Sequence, residues 1–232
     1  TWTAHRFTAG FAALLAACIA IAYSGGFGIG FYFDDIPGIA QNPAVHSLRN
    51  IPSFFVDQSG YWTVSATNGD LRPLLLITFA ANYAISGLAP WSYHALNLAL
   101  HFIASLLVFV IVRDHLWWPP SDRGPAGAAR LAAAATALFF ALAPLNSQPV
   151  NYIWARSALL CTTLYLGAFL AHLRRRWVLG SVLFALALLT KPIAVTLPAV
   201  LLVHDVVYRD RERYPTIRLW LGGWRRLALP LL

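Results

Sequence analysis

Apolar stretches long enough to cross a bilayer, repeated along the chain and separated by short arginine-bearing segments, decide most of what this sequence can become. A bilayer core about 30 Å thick takes about 20 residues as a helix, and a helix pairs its own backbone groups where no water is available. Runs that reach or approach this length cover 7–33, 92–112, 128–145, 158–173, 177–190 and 193–207, and another begins at 219. Only 11% of the 232 residues are charged, against about 25% in a soluble domain. The expectation is an all-α polytopic membrane protein built as one membrane domain. The formal charge of +8 does not indicate nucleic-acid binding, because the cations lie between apolar runs rather than on one face.

Orientation follows from those cations. Lys and Arg concentrate in cytoplasmic loops. Arg6 adjoins the start of the first run, whereas Asp34 and Asp35 adjoin its end. This predicts a cytoplasmic N-terminus and an outer loop over 34–90. Within that loop, 45–56 reads as a short amphipathic helix, and 72–88 reads as a helix lying at or dipping into the interface. If 72–88 crossed the membrane and the N-terminus faced out, the inside-to-outside split of cations would be 14 to 3 rather than 13 to 4, so the count does not decide and the flanks of the first run carry the choice. Residues 177–208 would make a single helix of about 48 Å. Pro192, which has no N–H, therefore marks a turn at Lys191-Pro192 between two short helices.

With this topology the outer edge holds Arg49, Arg72, Arg156 and Lys191, while all other cations lie inside. Arg72, Arg156 and Lys191 sit at one membrane level, where a phosphate head group can be held. Asp34 and Asp35 follow Phe31-Tyr32-Phe33 at the same level. A carboxylate there can accept the proton of a hydroxyl or hold a divalent cation through oxygen. No cofactor is specified beyond that possibility, and the metal, if any, is unknown. In the 92–112 run, His94, Asn97, His101 and Ser105 share one helical face. Such a stripe should face the bundle interior and meet polar partners there. Cys18 and Cys161 lie inside apolar runs and read as packing residues. The stretch from 219 ends at Leu232, short of a span, so further membrane helices of the same chain or of another subunit are expected to cover the bundle.

Five groups of residues, in order, carry a family resemblance. They are Phe33-Asp34-Asp35-Ile36-Pro37 with Asn42-Pro43; Leu71-Arg72-Pro73-Leu74 with Asn82-Tyr83; Tyr93-His94 with Asn97 and His101; Ala143-Pro144-Leu145-Asn146 through Arg156; and Leu189-Thr190-Lys191 with Ala194-Val195-Thr196-Leu197-Pro198, closing in Asp205. Together they resemble the membrane domain of the transmembrane-and-tetratricopeptide-repeat O-mannosyltransferases and their bacterial relatives, in the GT-C superfamily. The resemblance implies a GT-C-like helical bundle with a first outer loop carrying membrane-parallel helices. It also implies a polyprenyl-phosphate sugar donor, one carboxylate of Asp34 and Asp35 activating the acceptor, and Arg72, Arg156 and Lys191 near the lipid phosphate. The sequence departs from the family where Ala143 replaces a His, Gln148 an acid and Pro192 another acid.

Two functions are therefore expected. One is a polyprenyl-phosphate-sugar-dependent glycosyltransferase acting on the non-cytoplasmic side. The other is a non-catalytic membrane subunit on a GT-C-derived scaffold that packs against other proteins. Sixteen Arg against one Lys, with abundant Ala, points to a bacterial inner membrane.

Overall fold

The computed structural model describes residues 2–56, 72–116 and 126–207, and divides the chain into two compact units, Thr1–Ala194 and Val195–Leu232. All regular structure among the described residues is helical. The chain is thus an all-α polytopic membrane protein. Three helical segments have the length and hydropathy of a span: Arg6–Gly28, Trp91–His115 and Arg156–Leu173. A bent pair, Gly127–Leu142 with Pro144–Asn151, makes a fourth if it is counted as one span.

In the first unit, α1 (Trp2–Tyr23) gives way at Ser24-Gly25-Gly26 to a 3₁₀ turn over Ser24–Gly28, where poor helix formers follow an Ala/Leu/Ile run. Phe11, Leu15, Ile19 and Tyr23 recur every fourth residue and form its buried face, while Leu14 and Ile21 face outward. Outward apolar side chains are what a lipid-solvated bundle requires. Helix α3 (Trp91–Ile111) is central and packs against α1, α4 (Ala126–Leu142) and α6 (Arg156–Leu173). Ala133, Ala134, Ala137 and Ala141 line the buried side of α4, and small residues let helix backbones approach closely. The expected span over 128–145 is interrupted after Leu142. Pro144 opens a 3₁₀ turn, and α5 (Ser147–Asn151) leaves with a 49° bend.

Helices α6 and α7 (Trp177–Leu188) form an antiparallel hairpin. Its turn is a Schellman motif: Arg176 N–H donates to Ala171 O at 2.8 Å and Arg175 N–H to His172 O at 2.8 Å. Arg175 takes the left-handed position with φ 57°, a place usually given to glycine. At that end of the bundle Arg113 donates to Thr8 Oγ1 at 3.0 Å and pairs with Asp114, which also meets Arg174 at 3.5 Å.

The opposite end carries the loop after α1 and helix α2 (Pro73–Ser86). At 14 residues, α2 is about 21 Å long, less than a bilayer core. The residues read as an amphipathic helix over 45–56 instead form 3₁₀ turns at Pro43–His46 and Leu48–Phe55. Ile39, Val45, Phe54, Leu75, Leu76, Phe79, Ala80, Tyr93, Ile153 and Trp154 form a second core there. Helix α7 has 12 residues, about 18 Å, so the sequence run 177–190 holds a helix shorter than a span.

In the second unit, α8 (Leu197–Val207) has 11 residues, and His204 Nδ1 lies 3.0 Å from Asp205 Oδ1.

Candidate functional site

The two adjacent carboxylates have different environments. Residues 32–35 form a reverse turn closed by Asp35 N–H donating to Tyr32 O at 3.0 Å. The Asp35 side chain folds back into it: Oδ2 accepts from Tyr32 N–H at 3.3 Å, and Oδ1 accepts from Trp154 N–H at 2.7 Å. Asp35 is fully buried. Burial raises its pKa to about 6; the two N–H bonds and the Arg156 charge pull it down, and Asp34 pushes it up. Asp34, at the tip of the turn, is half-buried. Its N–H donates to Tyr152 Oη at 3.0 Å. Desolvation and the neighbouring Asp34 carboxylate push the Tyr152 phenol pKa upward, so the hydroxyl keeps its proton.

Gly38 makes this arrangement possible. Asp34 O accepts its N–H at 3.0 Å, and a Cβ at Gly38 would clash with three carbons of the Trp154 ring. Trp154 therefore packs on bare backbone and stacks on Phe79 at 5.5 Å. Asn42 fixes the segment further: its Nδ2 donates to Gly38 O at 3.2 Å and its Oδ1 accepts from Ala44 N–H at 3.0 Å. His46, after it, stacks on Tyr83 at 4.1 Å.

Arg156, expected at an open edge, is enclosed at the start of α6. Nε donates to Asn97 Oδ1 at 2.8 Å, and Nη1 donates to Asn82 Oδ1 at 2.7 Å and Thr78 Oγ1 at 3.1 Å. Nη2 donates to Tyr93 O at 3.0 Å, and the guanidinium lies 4.7 Å above the Phe79 ring. A guanidinium has five N–H donors, and these contacts use four. The residue joins α2, α3 and α6, two positions beyond the amide that holds Asp35. Among the described residues neither Asp34 nor Asp35 forms an ion pair.

Arg72 and Lys191 lie on segments that meet. Leu74 N–H, an orphan donor at the start of α2, donates to Leu189 O at the end of α7 at 3.4 Å. Both cations are half-buried. Arg72 stands six positions before Thr78 on α2, about 9 Å along the axis. The structure thus brings Asp34, Asp35 and Arg156 together around loop 151–156, and sets Arg72 and Lys191 on two segments joined by the Leu74–Leu189 contact, with α2 linking the two places.

The polar stripe of α3 is buried, and His94, Asn97 and His101 each meet a backbone carbonyl freed where another helix breaks or ends. His94 Nε2 lies 2.9 Å from Ile29 O, beyond α1. Asn97 Nδ2 donates to Val150 O at 3.2 Å, where α5 ends. His101 Nε2 donates to Ala141 O at 2.9 Å, and Tyr23 Oη donates to that same carbonyl at 2.9 Å. Ala141 is in the last turn of α4, where carbonyls have no helical partner. Ser105 bonds within its own helix, to His101 O at 2.8 Å. Each of the four side chains thus finds a partner within this chain, while His101 Nδ1 is buried without one among the described residues. Among the described residues no three His, Cys, Asp or Glu side chains converge as metal ligands. Asp34 is the one carboxylate of the pair not held by backbone N–H groups, and a hard cation shared with a phosphate needs one or two carboxylates.

Over most of its length the chain is similar to protein O-mannosyl-transferases. It is 28% identical to TMTC3 of Mus musculus over 227 residues, covering 92% of this chain and 23% of that protein. It is 32% identical to Tmtc1 of Drosophila melanogaster over 196 residues (78% and 21%) and 29% identical to Tmtc2 of the same organism over 243 residues (94% and 24%). The resemblance carried by the five sequence groups therefore holds over most of the chain. The chain spans about a quarter of the length of these curated relatives. No family model and no solved structure matches it.

Proposed function

We propose that this chain is the membrane part of a glycosyltransferase that moves a mannosyl group from a polyprenyl-phosphate carrier to an acceptor hydroxyl. The observation that carries the reading is the asymmetric acidic turn. Asp35 is consumed in holding loop 151–156 against the turn, and this leaves Asp34 at the tip as a partly accessible base. The acceptor oxygen attacks the anomeric carbon, its proton passes to Asp34, and the bond from that carbon to the phosphate oxygen breaks. Polyprenyl phosphate leaves with its charge stabilised by Arg72 and Lys191, an electrostatic role that fixed cations perform well in a water-poor site. Asp35 and Arg156 are positioning residues, since their polar atoms are engaged by the protein.

We infer a cytoplasmic N-terminus, an acidic turn on the non-cytoplasmic side and a bacterial inner membrane. Arg6 and the arginine turn at 174–176 lie at the end of the bundle opposite Asp34, which agrees with retention of basic loops inside.

The commitment of Arg156 to protein acceptors also suits the second reading, a non-catalytic scaffold. Transfer assays on the full-length protein in vesicles separate the two. With polyprenyl-phosphate mannose and a serine- and threonine-containing peptide, Arg72→Ala and Lys191→Ala should each raise the donor KM at least tenfold. Mannose transfer that is absent in the wild type would favour the scaffold, whereas transfer unaltered in both variants would remove Arg72 and Lys191 from the donor site.

A further inference from the structure

Phe33 stands out beside the proposed base. Its φ of 48° is in the left-handed region, where a bulky residue is a true outlier. It occupies the first central position of the 32–35 turn, which for positive φ favours glycine. Its ring is 79% exposed, so no core contact accounts for the strain. The turn around it is fixed from both sides: Tyr32 N–H and Trp154 N–H hold the Asp35 carboxylate, and Tyr152 Oη holds Asp34 N–H. Strained residues over-determined in this way cluster at ligand sites.

The geometry points to Phe33 as the acceptor-contacting residue, an aromatic platform that seats a hydroxyl-bearing peptide beside Asp34. This rests on the function proposed above. A general base works within hydrogen-bond reach of the proton it takes, and consecutive Cα atoms are about 3.8 Å apart. A peptide whose hydroxyl meets Asp34 therefore passes beside residue 33, whose exposed side chain is open to it. The donor phosphate belongs with Arg72 and Lys191, just before α2 and just beyond α7, so the acceptor is the substrate that Phe33 meets. Tyr32, 5.6 Å from Phe33 between ring centroids, and Tyr152, 4.9 Å from Tyr32, continue the aromatic surface. Aromatic rings supply large contact area with few torsions to freeze.

Three variants of the full-length protein in nanodiscs separate the ring from the backbone. The readouts are equilibrium binding of a labelled serine- and threonine-containing peptide and the thermal unfolding midpoint. Phe33→Gly should weaken peptide binding about tenfold, the scale of one buried aromatic contact, and raise the midpoint, because glycine adopts positive φ freely. Phe33→Ala should weaken binding equally without that rise, since it keeps a Cβ. Phe33→Trp should stay within about twofold of the wild type, because it keeps an aromatic face. Unchanged affinity in Phe33→Gly and Phe33→Ala, or no peptide binding by the wild type, would overturn the inference; a changed midpoint alone would leave Phe33 as a lipid anchor and overturn it too. Binding is read without turnover, so these outcomes are distinct from failure of the transferase reading, which an active Asp34→Asn variant would bring about.

Discussion

Replacing Gly38 by alanine tests the packing that supports the acidic turn. The added Cβ would overlap three carbons of the Trp154 ring, and that ring cannot retreat freely because it stacks on Phe79 at 5.5 Å. Gly38 is itself buried in the turn Ile36–Ala40. Two responses bound the effect. If the ring shifts within its site, overpacking costs about 1–3 kcal/mol. If it is expelled, the loss approaches about 5 kcal/mol, from some 200 Å² of aromatic surface at about 25 cal/mol per Å². At about 2–4 °C per kcal/mol for a chain of this size, the milder response lowers the unfolding midpoint by roughly 2–12 °C. A Trp154→Leu change removes the ring and should make Gly38→Ala nearly neutral in that background, a coupling read from a double-mutant cycle. The assay is thermal unfolding in detergent followed by circular dichroism. Additive effects of the two substitutions, or an unchanged midpoint in Gly38→Ala, would refute the reasoning.

Further predictions follow from single contacts. Arg156→Gln should destabilise the bundle by about 3–5 kcal/mol, the scale of disrupting a buried charged network, and Arg156→Lys should not restore it, because one ammonium cannot span acceptors on α2 and α3; the folded fraction after detergent extraction reads both. Arg175→Gly should stabilise by about 1 kcal/mol by relieving the left-handed arginine, and an unchanged or lower midpoint would count against the Schellman assignment. Asp35 has a folded pKa of about 6 against an ordinary 3.8, so the folded state holds its proton more tightly. Its contribution is fully present below about pH 4 and is lost as pH rises to about 6, a total of about 3 kcal/mol. Asp35→Asn should flatten that part of the stability–pH curve, and an identical slope in the variant would show that another group titrates.

The sequence made the long apolar helices legible because period and length suffice for them: the runs at 92–112 and 158–173 match α3 and α6 to within two residues at each end, and the run at 7–33 overlaps α1, which starts earlier and ends at Tyr23. It was less informative where a few residues redirect the backbone. Pro144 could be read as a helix breaker, but the bend it produces depends on carbonyls of Phe140 and Ala141 finding Asn146, His101 and Tyr23. Those carbonyls have no side-chain signature, so the α3 stripe looked short of partners. The role of Arg156 was hidden for a similar reason. Its side-chain acceptors Asn97, Asn82 and Thr78 lie 59, 74 and 78 positions away, and only folding shows that they surround it. Asp34 and Asp35 are alike as a dipeptide; what divides them is an amide 119 positions from Asp35.

Asp34 is the residue on which the transferase account depends. The most direct measurement is single-turnover transfer from polyprenyl-phosphate mannose to a serine- and threonine-containing peptide by the full-length protein in vesicles, comparing the wild type with Asp34→Asn. The account predicts a wild-type mannosylated peptide and a fall of about 10²–10⁴-fold in the variant, the usual contribution of a general base, with peptide binding retained. Transfer by Asp34→Asn at the wild-type rate would contradict it.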